Sequence, residues 1–267
     1  MSAESTSKRL RRFRTGGAVL FLGSIPVFWL AGPAAAYTLG VLGVAAYLYA
    51  RDRVTREQYR TLRAQHEAAL DARRAIDHGA FPLPRAGGWA ASSDLLALLG
   101  ELALARRPAH IVELGSGLST VFLAELLRRH GRGRITSIDH EAHYAEQTRE
   151  RLRARGLDDL VTVVCAPIAE QAVDGQRYPW YDAGTLGDVT DIDLLLVDGP
   201  LASSASRSRY PAVPILWEKL SPRATIVMDD ADRADERAIV AQWSAAYPLD
   251  VAWHRLEKGA AVLTRRD

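Results

Sequence analysis

The sequence predicts an α/β domain built on a mostly parallel, doubly wound sheet, and three observations predict it. From Ser92 onward, short apolar strands alternate with helical stretches, the order in which a parallel sheet gains helices on both faces. One strand, His110–Leu114, runs into Gly115-Ser116-Gly117 and then directly into a helix. The next strand ends on an acid, Asp139.

The elements follow in order. Ser92 or Ser93 can cap a helix whose Leu95, Leu96, Leu98, Leu99, Leu102 and Leu104 recur at helical spacing. After the strand at 110–114 and the glycine turn, a helix is expected to about His130. Residues 134–139 form the second strand, 141–155 a helix, and 160–165 the third strand, with Trp180 and Tyr181 in a loop after it. Residues 193–198 and 223–229 are the fourth and fifth strands, with a helix at about 215–220 between them. A helix at 235–247 precedes two strands, 251–256 and 260–264, that Glu257-Lys258-Gly259 joins as a closing antiparallel pair.

Composition is ordinary for a globular chain of 267 residues, 48% hydrophobic and 25% charged. The net charge of +2 conceals an asymmetry. Residues 1–80 carry twelve basic and six acidic side chains, whereas residues 81–267 carry 22 and 26. The larger part is therefore net acidic, and no nucleic-acid partner is expected for it. Cys165 is the sole cysteine, so an intrachain disulfide and a cysteine-based zinc site are excluded. His66, His78, His110, His130 and His254 show no ligand spacing.

Residues 16–50 contain no charged side chain. This run exceeds the roughly 20 apolar residues that cross a bilayer as a helix. Gly32-Pro33 breaks it near the middle, since proline lacks an amide donor and disfavours helix in the residue before it. Lys8, Arg9, Arg11, Arg12 and Arg14 flank one end, and Arg51, Arg53 and Arg56 the other. The expectation is a basic cytoplasmic tail (1–15), a membrane anchor of two short helices (16–50) forming a transmembrane hairpin, and a charged helical stalk (51–80). A single tilted helix, a re-entrant segment and a cleaved signal peptide are the alternatives. On the hairpin reading the domain at 81–267 faces the cytoplasm from the inner membrane. Phe81-Pro82-Leu83-Pro84-Arg85-Ala86-Gly87-Gly88 marks the linker.

The glycine turn carries the chemistry. Gly115 and Gly117 let the backbone turn tightly and let a ligand approach the main chain. The helix start beyond them offers unpaired amides to an anion such as a carboxylate. Asp139 stands where an acid accepts hydrogen bonds from ribose hydroxyls. A nicotinamide dinucleotide fingerprint carries a third Gly or Ala three residues after the second glycine, and here that residue is Thr120. The departure favours S-adenosylmethionine over NAD.

Glu113-Leu-Gly-Ser-Gly-Leu-Ser-Thr120, Ser137-Ile-Asp-His-Glu141, Trp180-Tyr181-Asp182, Val197-Asp-Gly-Pro200 and Asp229-Asp-Ala-Asp-Arg233 resemble class I S-adenosylmethionine-dependent methyltransferases over about residues 88–265. Within them the chain is similar to a poorly characterised bacterial branch, and more distantly to catechol and caffeoyl-CoA O-methyltransferases. The resemblance implies a Rossmann-like sheet of seven strands with the last antiparallel. It implies cofactor contacts at Glu113, Gly115, Ser116, Gly117 and Ser119, a ribose contact at Asp139, and adenine packing at His140 and Ala166. Trp89 is expected to close over the cofactor.

For the second substrate, methyl transfer needs a nucleophile positioned in line with the sulfonium and relieved of its proton. Asp198, Asp229 and Asp230 end adjacent strands and form a candidate Mg²⁺ site. Catechol-type enzymes carry Asp and then Asp-Asn at the matching positions, whereas here Ala231 follows the aspartate pair. Strand alternation points Asp229 and Asp230 to opposite faces, so at most one is expected to reach the site. Asp198, Asp230 and Arg209 are the candidate catalytic residues, with Arg209 a clamp for an acidic substrate and Arg233 a salt-bridge partner of the aspartates. The expected activity is O-methylation of a small or lipid-linked acceptor. A non-catalytic adenosylmethionine-binding module, aminopropyl transfer and an NAD-linked reaction stay open beside it.

Overall fold

The computed structural model describes residues 32–75, 90–187, 189–200 and 207–266. Contacts divide the chain into two units, Met1–Gln65 and His66–Asp267.

In the first unit the described element is the long helix α1 (Pro33–Ala75), which continues past the unit boundary. Pro33 begins it, as a residue without an amide hydrogen can at a first helical position. Beyond Arg51 the sequence holds no glycine or proline as far as His78 and is rich in Ala, Arg, Glu and Gln, all good helix formers. Residues 33–50 and the described part of the charged stalk, 51–75, are therefore one uninterrupted helix. Tyr37, Leu39, Val41, Leu42, Val44, Leu48 and Tyr49 on it are exposed. Among the described residues no helix is long and apolar enough to cross a membrane. The basic tail and the first half of the expected hairpin lie outside the described residues.

The second unit carries helix α2 (Ser93–Arg106), strand β1 (His110–Leu114), α3 (Leu118–His130), β2 (Arg134–Asp139), α4 (Ala142–Arg153) and β3 (Val161–Cys165). Then come β4 (Ile168–Val173), β5 (Gln176–Tyr181), β6 (Ile192–Val197), α5 (Ala212–Leu216), β7 (Leu220–Asp229), α6 (Ala234–Ala246), β8 (Leu249–His254) and β9 (Ala260–Arg265). Seven strands form one sheet in the order β3-β2-β1-β6-β7-β9-β8. Neighbours from β3 to β7 pair parallel, and β9 runs antiparallel to both β7 and β8.

Successive side chains on a strand point to opposite faces, and this alternation splits the core into two layers. Val112, Leu114, Leu195, Val197, Ile226 and Met228 pack on one side with Trp180, Tyr181 and Trp243. Ile111, Leu194, Leu196 and Val227 pack on the other with Leu95, Leu99, Phe122 and Leu126 of α2 and α3. With both faces covered, the central strands read as continuous apolar runs.

One expectation is corrected and one boundary moves. Residues 168–181, read as a loop around Trp180 and Tyr181, form an antiparallel β4–β5 hairpin separate from the main sheet. Its turn is Asp174-Gly175, both at positive φ, 51° and 75°, the two-residue connection that matches strand twist. The helix expected at about 215–220 is present but starts earlier: α5 runs from Ala212 to Leu216, a 3₁₀ turn follows at Trp217–Lys219, and Leu220 begins β7.

Candidate active site

Register brings one edge of the sheet together. Leu114 lies level with Ile138 and with Val197, and Val197 with Met228. The residues just beyond these ends, Gly115, Asp139, Asp198 and Asp229, therefore share the carboxyl edge where open sheets of this kind bind ligands. Backbone bonds fix that edge: Gly115 N donates to Ile138 O at 2.7 Å, and Asp198 N to Leu114 O at 3.0 Å.

The turn after β1 depends on glycine for two different reasons. Gly115 has φ +104°, and a Cβ there would press on the Asp198 backbone at 3.4 Å. Gly117 is extended, and a Cβ on it would meet no protein atom within 4 Å. Its bareness leaves the start of α3 open on the ligand side, with the first amides of the helix available to an anion.

Thr120 ties the turn down. Its hydroxyl accepts from Gly117 N at 2.9 Å and donates to Glu113 Oε2. Ser137 Oγ donates to the same oxygen at 2.8 Å, and the Ser119 hydroxyl also acts on this carboxyl. Glu113 is wholly buried, and Oε1 has no partner. Burial pushes its carboxyl up to about 7, against the pull of the Ser119, Thr120 and Ser137 hydroxyls.

Asp139 is held from both sides. Oδ2 accepts from Ser116 N at 3.0 Å and Ser116 Oγ at 2.7 Å, and Oδ1 accepts from Glu141 N at 3.0 Å. Oδ1 retains acceptor capacity for a further donor. His140 stands next to it, with its ring edge-on to Tyr181 at 6.2 Å between centroids. Ala166 is buried and donates its amide to Asp139 O at 2.8 Å. Trp89 lies outside the described residues.

Three aspartates gather beside the turn. One carboxylate oxygen from each of Asp198, Asp229 and Asp230 lies within 4.8 Å of the others. This overturns the expectation that only one of Asp229 and Asp230 reaches the site. β7 ends at Asp229, and Asp230 takes a left-handed conformation with φ 57°, so strand alternation no longer governs it. Burial, then the neighbouring Asp229, raises the Asp198 carboxyl well above the usual carboxylate range, while Arg209 draws it back. Burial and Asp230 raise Asp229 in the same direction.

Arg209 is not the exposed clamp that its loop position suggested. Its side chain is 2% exposed. Nη2 donates to Asp198 O at 2.9 Å, Asp198 Oδ1 at 3.2 Å and Asp230 Oδ2 at 3.0 Å, and Nη1 to Asp229 O at 3.1 Å. Burial disfavours its charge, but Asp198, Asp230 and Glu236 together outweigh burial and hold the guanidinium protonated. Arg233 pairs with Asp230 at 2.9 Å from the exposed side, the salt-bridge role expected of it.

Tyr181 ends β5 and does not lie in a loop. It is wholly buried, and its hydroxyl has no partner. A Cβ built on Gly199 would lie 2.2 Å from that hydroxyl, 3.2 Å from Leu114 O and 3.4 Å from Gly115 N. The hydroxyl therefore stands between the glycine turn and the Asp198-Gly199 strand end.

Residues 112–231, which hold this whole edge, match a family model described as a methyltransferase domain. Over that stretch the chain is similar to methyltransferase domains. No curated protein matches the sequence. Solved structures similar to this chain include S-adenosylhomocysteine-bound PaMTH1 from Podospora anserina, a methyltransferase (17% identity, TM-score 0.52, covering 76% of this chain and 88% of that one). Cofactor-bound Rv0187 from MTB is 25% identical with a TM-score of 0.50, covering 76% and 90%. An O-methyltransferase from Bacillus cereus in complex with S-adenosylhomocysteine is 15% identical with a TM-score of 0.49, covering 75% and 91%.

The residues at this edge fit S-adenosylmethionine as a ligand. The bare Gly117, the start of α3, the unpartnered Glu113 Oε1 and the residual acceptor capacity of Asp139 offer partners for a carboxylate, an ammonium and ribose hydroxyls. The three aspartates fit a divalent metal poorly, because the Arg209 guanidinium is bonded to two of them.

Proposed function

We propose that the chain transfers a methyl group from S-adenosylmethionine to an oxygen of a small or lipid-linked acceptor. The observation that carries this reading is Asp198: a carboxylate at the end of β6, beside the glycine turn, a fifth exposed and raised in basicity by burial. S-adenosylmethionine supplies a methyl on a positively charged sulfur, so transfer forms a carbon–oxygen bond and leaves the carbon–sulfur electron pair on sulfur. The acceptor hydroxyl gives its proton to Asp198. Arg209 and the β6 backbone hold that carboxylate in place. Asp139 orients the ribose, Gly115, Ser116 and Gly117 admit the methionine carboxylate to the start of α3, and Glu113 Oε1 faces the amino group. His140 and Ala166 flank the adenine.

We also propose that residues 16–50 attach the chain to the inner membrane, with the methyltransferase domain on the cytoplasmic side. The run without charge, its basic flanks and the exposed apolar side chains on α1 support this.

Calorimetry on the full chain with S-adenosylmethionine, S-adenosylhomocysteine and NAD tests the donor. Binding of the first two and not the third is expected, and binding of NAD alone would sink the reading. Asp139→Ala should weaken S-adenosylhomocysteine binding roughly tenfold to a hundredfold through the lost ribose bonds. Asp198→Asn should leave that binding within a few-fold. It should cut transfer of labelled methyl to a panel of hydroxylated small molecules and lipid extract by about 10²–10⁴. Full transfer by Asp198→Asn would remove it as the base.

A further inference from the structure

Three carboxylates brought within 4.8 Å of one another in a buried corner need a cation. The chain supplies one from its own sequence. Arg209 reaches the cluster from the segment that precedes α5, and its side chain is as buried as the core. Its planar fork satisfies four acceptors at once: the Asp198 and Asp229 carbonyls and the Asp198 and Asp230 carboxylates. A point charge cannot match that pattern, because the fork distributes its donors in a fixed plane. A divalent ion needs carboxylate oxygens at about 2.0–2.6 Å and several further oxygen ligands. Nη2 already lies 3.2 Å from Asp198 Oδ1 and 3.0 Å from Asp230 Oδ2, so an ion bound to both oxygens would collide with it. Glu236, 2% exposed, lies 3.9 Å from Arg209 Nε and adds a fourth carboxylate around the same guanidinium.

We propose that the Arg209 guanidinium takes the place of a divalent metal at this edge, so that the Asp198-Asp229-Asp230 cluster binds no metal and Arg209 is the positioning residue for Asp198. This rests on the methyltransferase reading above. The cation function is met without recruitment from solution, and Asp198 is oriented by a group that cannot be chelated. Asp229 Oδ2, buried and without a partner, is the oxygen that would join the two freed by removal of the guanidinium to make a three-carboxylate metal site.

The test is titration of the full chain with MnCl₂, followed by electron paramagnetic resonance, alongside S-adenosylhomocysteine calorimetry with EDTA or with Mg²⁺. The wild-type chain should leave Mn²⁺ free, and its S-adenosylhomocysteine affinity should be the same in EDTA and Mg²⁺. Arg209→Ala should gain one Mn²⁺ site, roughly tenfold or more tighter than any wild-type binding, and Asp230→Asn in that background should abolish it. Arg209→Lys keeps the positive charge and should stay metal-free, with thermal melts confirming that each variant is folded. In methyl transfer, guanidinium chloride at millimolar level should partly restore Arg209→Ala, which a merely structural role would not allow. A saturable wild-type Mn²⁺ site lost in Asp230→Asn would overturn the inference, as would a folded Arg209→Ala chain that ignores Mn²⁺. Failure of the wild-type chain to bind S-adenosylhomocysteine would instead count against the methyltransferase reading, and the Mn²⁺ result would separate the two.

Discussion

Glu113 concentrates the energetics of the donor site in one side chain. Burial dominates its environment and holds its carboxyl up to about 7, from an ordinary value of 4.5. The folded chain therefore keeps a proton that the unfolded chain has lost between these values, and stability falls as pH rises through that window. The shift corresponds to a loss on the order of 3 kcal/mol across it. Thermal melts of the wild-type chain should show a falling midpoint between about pH 5 and 7, and Glu113→Gln should flatten that slope. An unchanged slope in the variant would place the titration elsewhere. Because a ligand ammonium requires the ionised carboxylate, S-adenosylhomocysteine binding should tighten over the same window. The importance of Glu113 was legible from its place before the glycines, but its protonation was not. That depends on burial in the folded chain, which outweighs the opposing pull of the Ser119, Thr120 and Ser137 hydroxyls. Thr120 itself entered the sequence reading only as a missing glycine, and the structure gives it two hydrogen bonds of its own.

At the scale of elements, the strands of the main sheet were legible because buried parallel strands are short apolar runs, and β1 and β2 lie where the sequence put them. The β4–β5 hairpin was missed for a physical reason. Its strands, Ile168–Val173 and Gln176–Tyr181, mix charged and apolar residues, and only the Asp174-Gly175 turn signalled them. That miss hid Tyr181, which the hairpin carries into the core beside Gly199. The crowding there makes a sharp prediction. Gly199→Ala would put its methyl 2.2 Å from the Tyr181 hydroxyl, and the overpacking should cost about 1–3 kcal/mol with weakened S-adenosylhomocysteine binding. Tyr181→Phe removes the colliding oxygen and should recover part of both losses in the double variant. Additive losses would show that the hydroxyl is not the obstacle. The pairing of Asp229 with Asp230 failed similarly: alternation holds only while a strand continues, and the left-handed Asp230 ends it.

For the whole molecule, the sequence divides into two parts with opposite charge balance, and the stretch similar to methyltransferase domains lies in the acidic one. The remainder is dominated by thirty-five residues, 16–50, without a charge. In α1, seven large apolar side chains between Tyr37 and Tyr49 are exposed, an arrangement that water disfavours by about 25 cal/mol for each Å² left uncovered. The helix ceases to be apolar at Arg51, where Asp52 and Arg56 form an exposed ion pair at 2.8 Å. Such a boundary suits an interface between hydrocarbon and headgroups, with arginines among the lipid phosphates. Attachment by apolar burial and attachment by charge alone differ in their response to salt, because only charge is screened. The full-length chain expressed in a bacterial host should therefore sediment with membranes, resist extraction by high salt, and enter the supernatant with mild detergent. Release by salt alone would mean that the basic flanks do the binding, and recovery in the supernatant without detergent would remove the anchor. An acceptor embedded in the bilayer then becomes testable on the same preparation: labelled methyl should partition into the lipid fraction, whereas label confined to water-soluble products would favour a small free acceptor.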